Sequence, residues 1–291
     1  EGWYDCTSPY GYSTPLVAPS QDSLPSFLKA FRKTACERGL VTAFFRLHPL
    51  LVLNHDSLGK FGRIARHGQT VYIDLSQSRE QIRAQIARDH RRNIRNLLKR
   101  GFRVIADDWS LFRDFVDIYQ STMRRLGASQ AYLFSREYFE EFRSVLGGRV
   151  HLCCVLSQTG EVACAGLFVV MGEIVQFHLM GTAAQYLPLA PSKLMVDFIC
   201  GWAQGIGAKV FHMGGGLGGT ADSLFKFKAG FSKMRGECFT YRMILDEEKN
   251  DRLIRFAEAS DGGTDPIGSN FFPAYRRPPL ALRNKSAGDR V

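Results

Sequence analysis

The run HMGGGLGGTADSLFKFKAGFS, from His212 to Ser232, holds the residues best suited to chemistry. Glycine fills positions 214, 215, 216, 218 and 219, so the backbone there can take positive φ and approach a ligand closely, with Gly214, Gly215 and Gly216 offering amides to a phosphate or carbonyl oxygen. The spacing fits neither a Walker loop nor a dinucleotide fingerprint. Lys228 follows Phe227 in the same run. A lysine beside an aromatic wall can stabilise the oxyanion that develops when an amine attacks an ester or thioester carbonyl, or can hold a donor phosphate. The plain alternative is a surface lysine alternating with Lys226. Asp222 is either an N-cap or the acceptor of a proton from an attacking ammonium, and capping suits its type best.

Other candidates lie outside this run. Residues 79–103 carry nine Lys or Arg against two acids. On a helical wheel Ile82, Ile86, Ile94, Leu97 and Leu98 share one side, and Arg88, Arg92, Arg95 and Lys99 form a stripe on the other. Such a stripe is a solvated face or the footprint of a polyanion, RNA or anionic lipid headgroups alike. Arg46 and His48 end a strand where they could bind an anionic acceptor or serve the fold, and Tyr10 and Tyr12 line a cleft or pin their loop. His178 and Tyr186 are further acceptor-side candidates. Ser192 and Lys193 follow Pro191 at a helix start whose free amides can receive a donor phosphate.

Composition sets the frame for these residues. The chain has 291 residues, 45% apolar and 23% charged, which suits a folded protein of two domains and excludes a disordered or fibrous class. No apolar run is long enough to cross a membrane. The seven cysteines lack CxxC spacing and read as reduced core residues, and the scattered histidines give no metal-ligand pairing. The net charge of +10 resides mostly in the 79–103 segment and in the tail after 276, read as a basic disordered end from about 277.

Periodicity then supplies the elements. A helix is predicted over 20–39, strands over 42–47 and 69–75, the basic helix over 79–100, and a short strand over 102–105. Two helices follow, from Trp109 and around Tyr138. Strands over 150–156, 162–171 and 174–181 form an antiparallel meander, then come a helix after Pro191 and a strand over 209–213. Meander, helix and strand together match the core of a GNAT-superfamily acyltransferase.

Several motifs carry a resemblance to a known family. GGGLGGTADSLFKFKAGFS looks like the Gly-rich strand end and Phe-Lys-x-Gly-Phe element of Fem-type aminoacyltransferases. SPYGYSTPL from Ser8, FFRLHPL at 44–50, RRNIRNLLKRGFRV at 91–104, IYQSTMRRLGASQAYLF at 118–134 and FFPAYR at 271–276 add to it in order, over nearly the whole chain. The resemblance implies an α/β (α+β) fold of two tandem GNAT-like domains, each a mixed, largely antiparallel sheet flanked by helices. Residues 1–108 would form the acceptor-side domain, 109–250 the donor-side domain, and 251–291 an extension packing back.

The implied activity is transfer of an activated aminoacyl or acyl group to an amine of a cell-wall, polysaccharide or natural-product acceptor, with Phe227 and Lys228 on the family's Phe-Lys pair. TAAQYLPLAPSK stands where simple acetyltransferases carry their coenzyme A signature. No tightly bound cofactor is expected. The co-substrate is aminoacyl-tRNA, which the basic stripe favours, or acyl-CoA in an N-acyltransferase. The expected location is cytoplasmic, with a peripheral contact to an anionic membrane. The competing class is a non-catalytic RNA- or membrane-surface-binding protein.

Overall fold

The computed structural model describes residues 2–16, 23–51, 53–260 and 271–277, so the basic end after 277 lies outside the described residues. In chain order the elements are β1 (Tyr4–Thr7), α1 (Ser23–Glu37), β2 (Leu40–Leu47), α2 (His55–Gly59), β3 (Arg63–Asp74), α3 (Arg79–Gln85), α4 (Arg88–Lys99) and β4 (Arg103–Ala106). Then follow α5 (Phe112–Arg125), α6 (Arg136–Leu146), β5 (Val150–Leu156), β6 (Val162–Met171), β7 (Ile174–Thr182), α7 (Ser192–Gly205), β8 (Val210–Gly215), α8 (Ser223–Ala229), β9 (Arg235–Ile244) and α9 (Glu247–Ser260).

Two compact units divide the chain: residues 1–68 with 237–291, and residues 69–236. The sequence boundary at 108/109 falls inside the second unit, because the basic segment packs there. Arg79 and Arg83 both bind the buried Asp197 carboxylate of α7, at 3.1 and 2.9 Å.

In the first unit β1 runs parallel to β2, and β2 antiparallel to β9. One face of these strands supplies Ala43, Leu47, Tyr241 and Met243 to a core closed by Leu24 and Leu28 of α1 and by Leu58. Strand period two puts Phe44, Arg46, Thr240 and Arg242 on the other face.

The second unit holds the order β3-β8-β7-β6-β5-β4, antiparallel except for the β7/β8 pair. β5 and β6 read as nearly continuous apolar runs because both faces are covered. On one face Leu194, Met195 and Ile199 of α7 meet Ile94 and Leu97 of α4 and the strand residues Val155 and Phe168. On the other, Phe115 and Tyr119 of α5 and Phe139 of α6 meet Leu152, Cys154 and Leu167. Cys153, Cys154, Cys164 and Cys200 are buried thiols, whereas Cys36 is exposed.

The expected single basic helix is two. Ser78 opens α3 with a reciprocal capping box to Gln81, but Ile86 and Ala87 are extended (ψ 133° and 145°). The break lets the Ala87 N–H donate to Gly230 O at 2.7 Å. It also shifts the wheel: Ile82, Ile86, Ile94 and Leu97 are buried as expected, while Leu98 is 51% exposed.

Candidate active site

β7 and β8 run parallel through Ile174↔Val210, Val175↔Phe211 and Gln176↔His212, and their pairing ends there. β7 continues against β6 with an irregularity after Phe168↔Phe177, since Leu167 next pairs with Leu179 and leaves His178 as the extra residue of a bulge. β8 continues along β3, which it pairs throughout, with Gly214 opposite Val71 and Gly215 opposite Thr70. The two strands therefore part, and each brings backbone groups that require hydrogen-bond partners to the slot between them.

Lys228 reaches this slot from α8. Its Nζ donates to Gly215 O at 2.7 Å and stands 5.7 Å from the Phe177 ring centroid. The side chain is 6% exposed, whereas Lys226, two residues back and on the opposite side of the helix, is exposed. Burial pulls the Lys228 ammonium down to about 8, against the opposing field of Asp222. The helix that the alternating lysines left open is thus settled, and Lys228 lies on its inner side.

Asp222 holds the start of α8. One carboxylate oxygen accepts from Phe225 N at 2.8 Å and the other from Leu217 N at 2.9 Å, so it caps the helix and ties down the glycine run. Glycine is required at two of those positions for different reasons. Gly214 has φ +77°, while at Gly216 a Cβ would come within 2.1 Å of Thr220 O and 2.4 Å of Asp222 Oδ1. Phe227 packs near Phe231, and its carbonyl lies 3.1 Å from His90 Nε2. His90, buried on α4, is a residue the sequence reasoning missed. At Gly230 a Cβ would stand 2.6 Å from His90 Nε2, which explains the glycine of the Phe-Lys-x-Gly-Phe element.

The other second-unit candidates are placed as follows. Ser192 is buried at the start of α7, and Lys193 Nζ is 3.2 Å from Asp89 Oδ2. Hydrogen bonding to His90, then to Lys193, holds the Asp89 carboxyl down at about 2 despite some desolvation. His178 turns away from the Lys228 side: its ring stacks on Phe142 of α6 at 4.6 Å, and burial depresses it to about 4. Strand alternation explains this, because Phe177 faces the α7 core and the next residue faces α6. Tyr186 spends its hydroxyl on Glu161 and its ring on Phe102. Arg88, Arg92, Arg95 and Lys99 are all exposed along α4. His212 is fully buried, 2.6 Å from Gln176 Oε1 through Nδ1.

In the first unit His48 is buried, accepts from Leu50 N at 3.2 Å and meets the Tyr12 ring edge-on at 6.0 Å. Tyr10 is 40% exposed. Arg46 stacks over Phe44 at 5.1 Å, and its charge, with that of Arg242, helps depress His67, where burial is the larger cause. His67 and Arg242 were not among the sequence candidates, since nothing in their spacing links them to Arg46.

A parallel pair that splays beside a bulge, with a helix packed below it, defines the GNAT acyltransferase fold. Residues 84–226 match the model of an acetyltransferase (GNAT) domain. The fold is shared with FemX, at a TM-score of 0.64 over 79% of this chain and 79% of that one with 14% identity. L-PGS from Bacillus licheniformis aligns at 0.53 over 76% and 74% with 18% identity. The C-terminal domain of a putative lysylphosphatidylglycerol synthetase from Agrobacterium fabrum aligns at 0.53 over 77% and 74% with 13% identity. A sequence comparison with curated proteins gives no match. Residues 84–226 thus carry a GNAT domain, the domain of acyl-group transferases, and the chain shares its fold with FemX.

Proposed function

We propose that this protein forms an amide by transferring an activated aminoacyl or acyl group to an amine of a cell-wall, polysaccharide or natural-product acceptor, with Lys228 stabilising the reaction's developing negative charge. The observation that carries this reading is the buried Lys228 ammonium in the β7/β8 slot, bonded to Gly215 O. One N–H is used there, and an ammonium has three, so an incoming carbonyl oxygen would meet a preformed donor in a site of low polarity. The amine attacks the donor carbonyl carbon, the oxygen takes up charge beside Lys228, and the C–O or C–S bond to the carrier breaks as the proton lost by the amine passes to the departing oxygen or sulfur. Asp222 is a positioning residue in this scheme, because both its oxygens accept backbone N–H groups.

Aminoacyl-tRNA is the preferred donor. The stripe of Arg88, Arg92, Arg95 and Lys99 is exposed and free of acidic partners among the described residues, as a polyanion contact requires. By contrast Lys193, the charged candidate for a coenzyme A phosphate, is held by Asp89. Arg46 and the neighbouring Arg242 and His67 would serve an anionic acceptor. No helix among the described residues is long and apolar enough to cross a membrane, and we place the reaction in the cytoplasm, where aminoacyl-tRNA is found, with no tightly bound cofactor.

Two measurements test this. Binding of bulk aminoacylated tRNA, compared with acetyl-CoA and longer acyl-CoAs at two salt concentrations, should show salt-sensitive tRNA binding that Arg92→Glu weakens. Tight acyl-CoA binding indifferent to Arg92→Glu would instead make this an acyl-CoA N-acyltransferase. With the donor known, Lys228→Met should lower turnover about a hundredfold or more. Unchanged turnover would remove Lys228 from the mechanism.

A further inference from the structure

A second cleft, of about 820 Å³, opens between the end of β4, the start of β5 and α6. None of its lining residues belongs to the acyl-transfer site described above. Asp107 and His151 both line it, with His151 Nδ1 2.9 and 3.2 Å from the two carboxylate oxygens. A carboxylate only accepts, so Nδ1 carries the hydrogen, and in the neutral ring Nε2 is left as an acceptor. Nε2 has no hydrogen bond among the described residues. The ring meets Trp202 edge-on at 4.7 Å.

The backbone is bent to make this pair. Asp107 has φ +62°, a region that non-glycine residues occupy at a cost, and is held there by Asp107 N donating to Leu152 O at 2.7 Å. Across the same cleft the Arg143 guanidinium lies 3.7 Å over the Trp109 ring, with Phe112 beside Trp109. Arg143 has no carboxylate partner among the described residues, whereas Arg136 in the same lining is paired with Glu140 at 2.8 Å. One cleft is therefore lined by an unpaired guanidinium, an imidazole held by a carboxylate and an aromatic wall.

We infer that this cleft binds an N-acylated amino-acid carboxylate, the chemistry of a peptide C-terminus or of a free N-acyl amino acid. Arg143 takes the carboxylate, His151 Nε2 accepts the amide N–H, and Trp109 and Phe112 face the apolar part. A planar, always-charged guanidinium suits a carboxylate, and an acceptor beside it selects a ligand whose N–H is adjacent to that carboxylate. The inference is independent of Lys228 and of the donor.

Hippurate carries all three elements and is the probe. Its methyl ester lacks the carboxylate charge, and N-benzoyl-N-methylglycine lacks the N–H. Calorimetric titration, together with emission of Trp109 and Trp202 in a Trp3→Phe background, reads binding and its location. Hippurate should bind saturably and about tenfold or more tighter than either analogue. Arg143→Gln should abolish the preference for acid over ester, and His151→Phe the preference for N–H over N-methyl, while Lys228→Met leaves both preferences intact. Benzoyl-triglycine binding tighter than hippurate would identify a peptide end, and equal or weaker binding the small N-acyl amino acid. Absence of saturable hippurate binding, or preferences unmoved by the two variants, would overturn the assignment.

Discussion

Lys228→Met should stabilise the protein while removing its activity. The lysine is buried, and its fall from 10.5 to about 8 corresponds to about 3 kcal/mol of penalty on the charged form. Methionine fills much the same volume without a charge, but it gives up the bond to Gly215 O, which for a charged donor is about 1.5–3 kcal/mol. The net gain is at most about 1.5 kcal/mol near neutral pH. Its pH dependence follows from the direction of the shift. Below about 8 both folded and unfolded lysines are charged, and the whole penalty stands. Between about 8 and 10.5 the unfolded chain holds the proton that the folded chain has lost, so wild-type stability rises with pH. The methionine variant lacks this rise, so its advantage should shrink across that window. Denaturant melts of both proteins near neutrality and at about pH 10 measure it. A variant less stable than wild type near neutrality, or an advantage constant across the two pH values, would refute the desolvation argument and with it the idea of a charge held ready for an oxyanion.

Three further outcomes are expected. Gly216→Ala should cost about 2–4 kcal/mol in denaturant melts, because its backbone (φ −82°) tolerates alanine but the Cβ must displace Thr220 O and the Asp222 cap. Gly230→Ala should cost about 1–3 kcal/mol, and adding His90→Ala should recover part of that loss, since the clash is with the His90 ring at 2.6 Å; additive losses in the double-mutant cycle would place the strain elsewhere. At Asp107, Asn should be nearly neutral in thermal stability and Val should lose about 1–2 kcal/mol or more, because Asn tolerates positive φ and a β-branched residue does not.

Much of the element order was legible in the sequence. The strands 150–156 and 162–171 match β5 and β6, since buried strands leave unbroken apolar runs, and Pro191 marks the start of α7. The Gly-rich run and the Phe-Lys pair marked the region of the slot, because closely approaching backbone demands glycine and the demand is local. Capping was equally local: Asp222 needed only its own helix. Other features depended on partners distant in the chain. The break at Ile86 and Ala87 came from the Gly230 carbonyl, which no helical wheel contains. Lys226 and Lys228 are alike in sequence, and only the splay of β7 from β8 decided which of them is buried. His178 meets Phe142 because α6 packs on that face of the sheet. Asp107 and His151 are brought together by β4 and β5 pairing edge to edge. Sequence patterns record periodicity and local backbone demand, so they determined the elements and the glycine run. Which side chains lose their water, and which meet across the sheet, is set by long-range pairing that leaves no periodic trace, and the tertiary structure alone decided it.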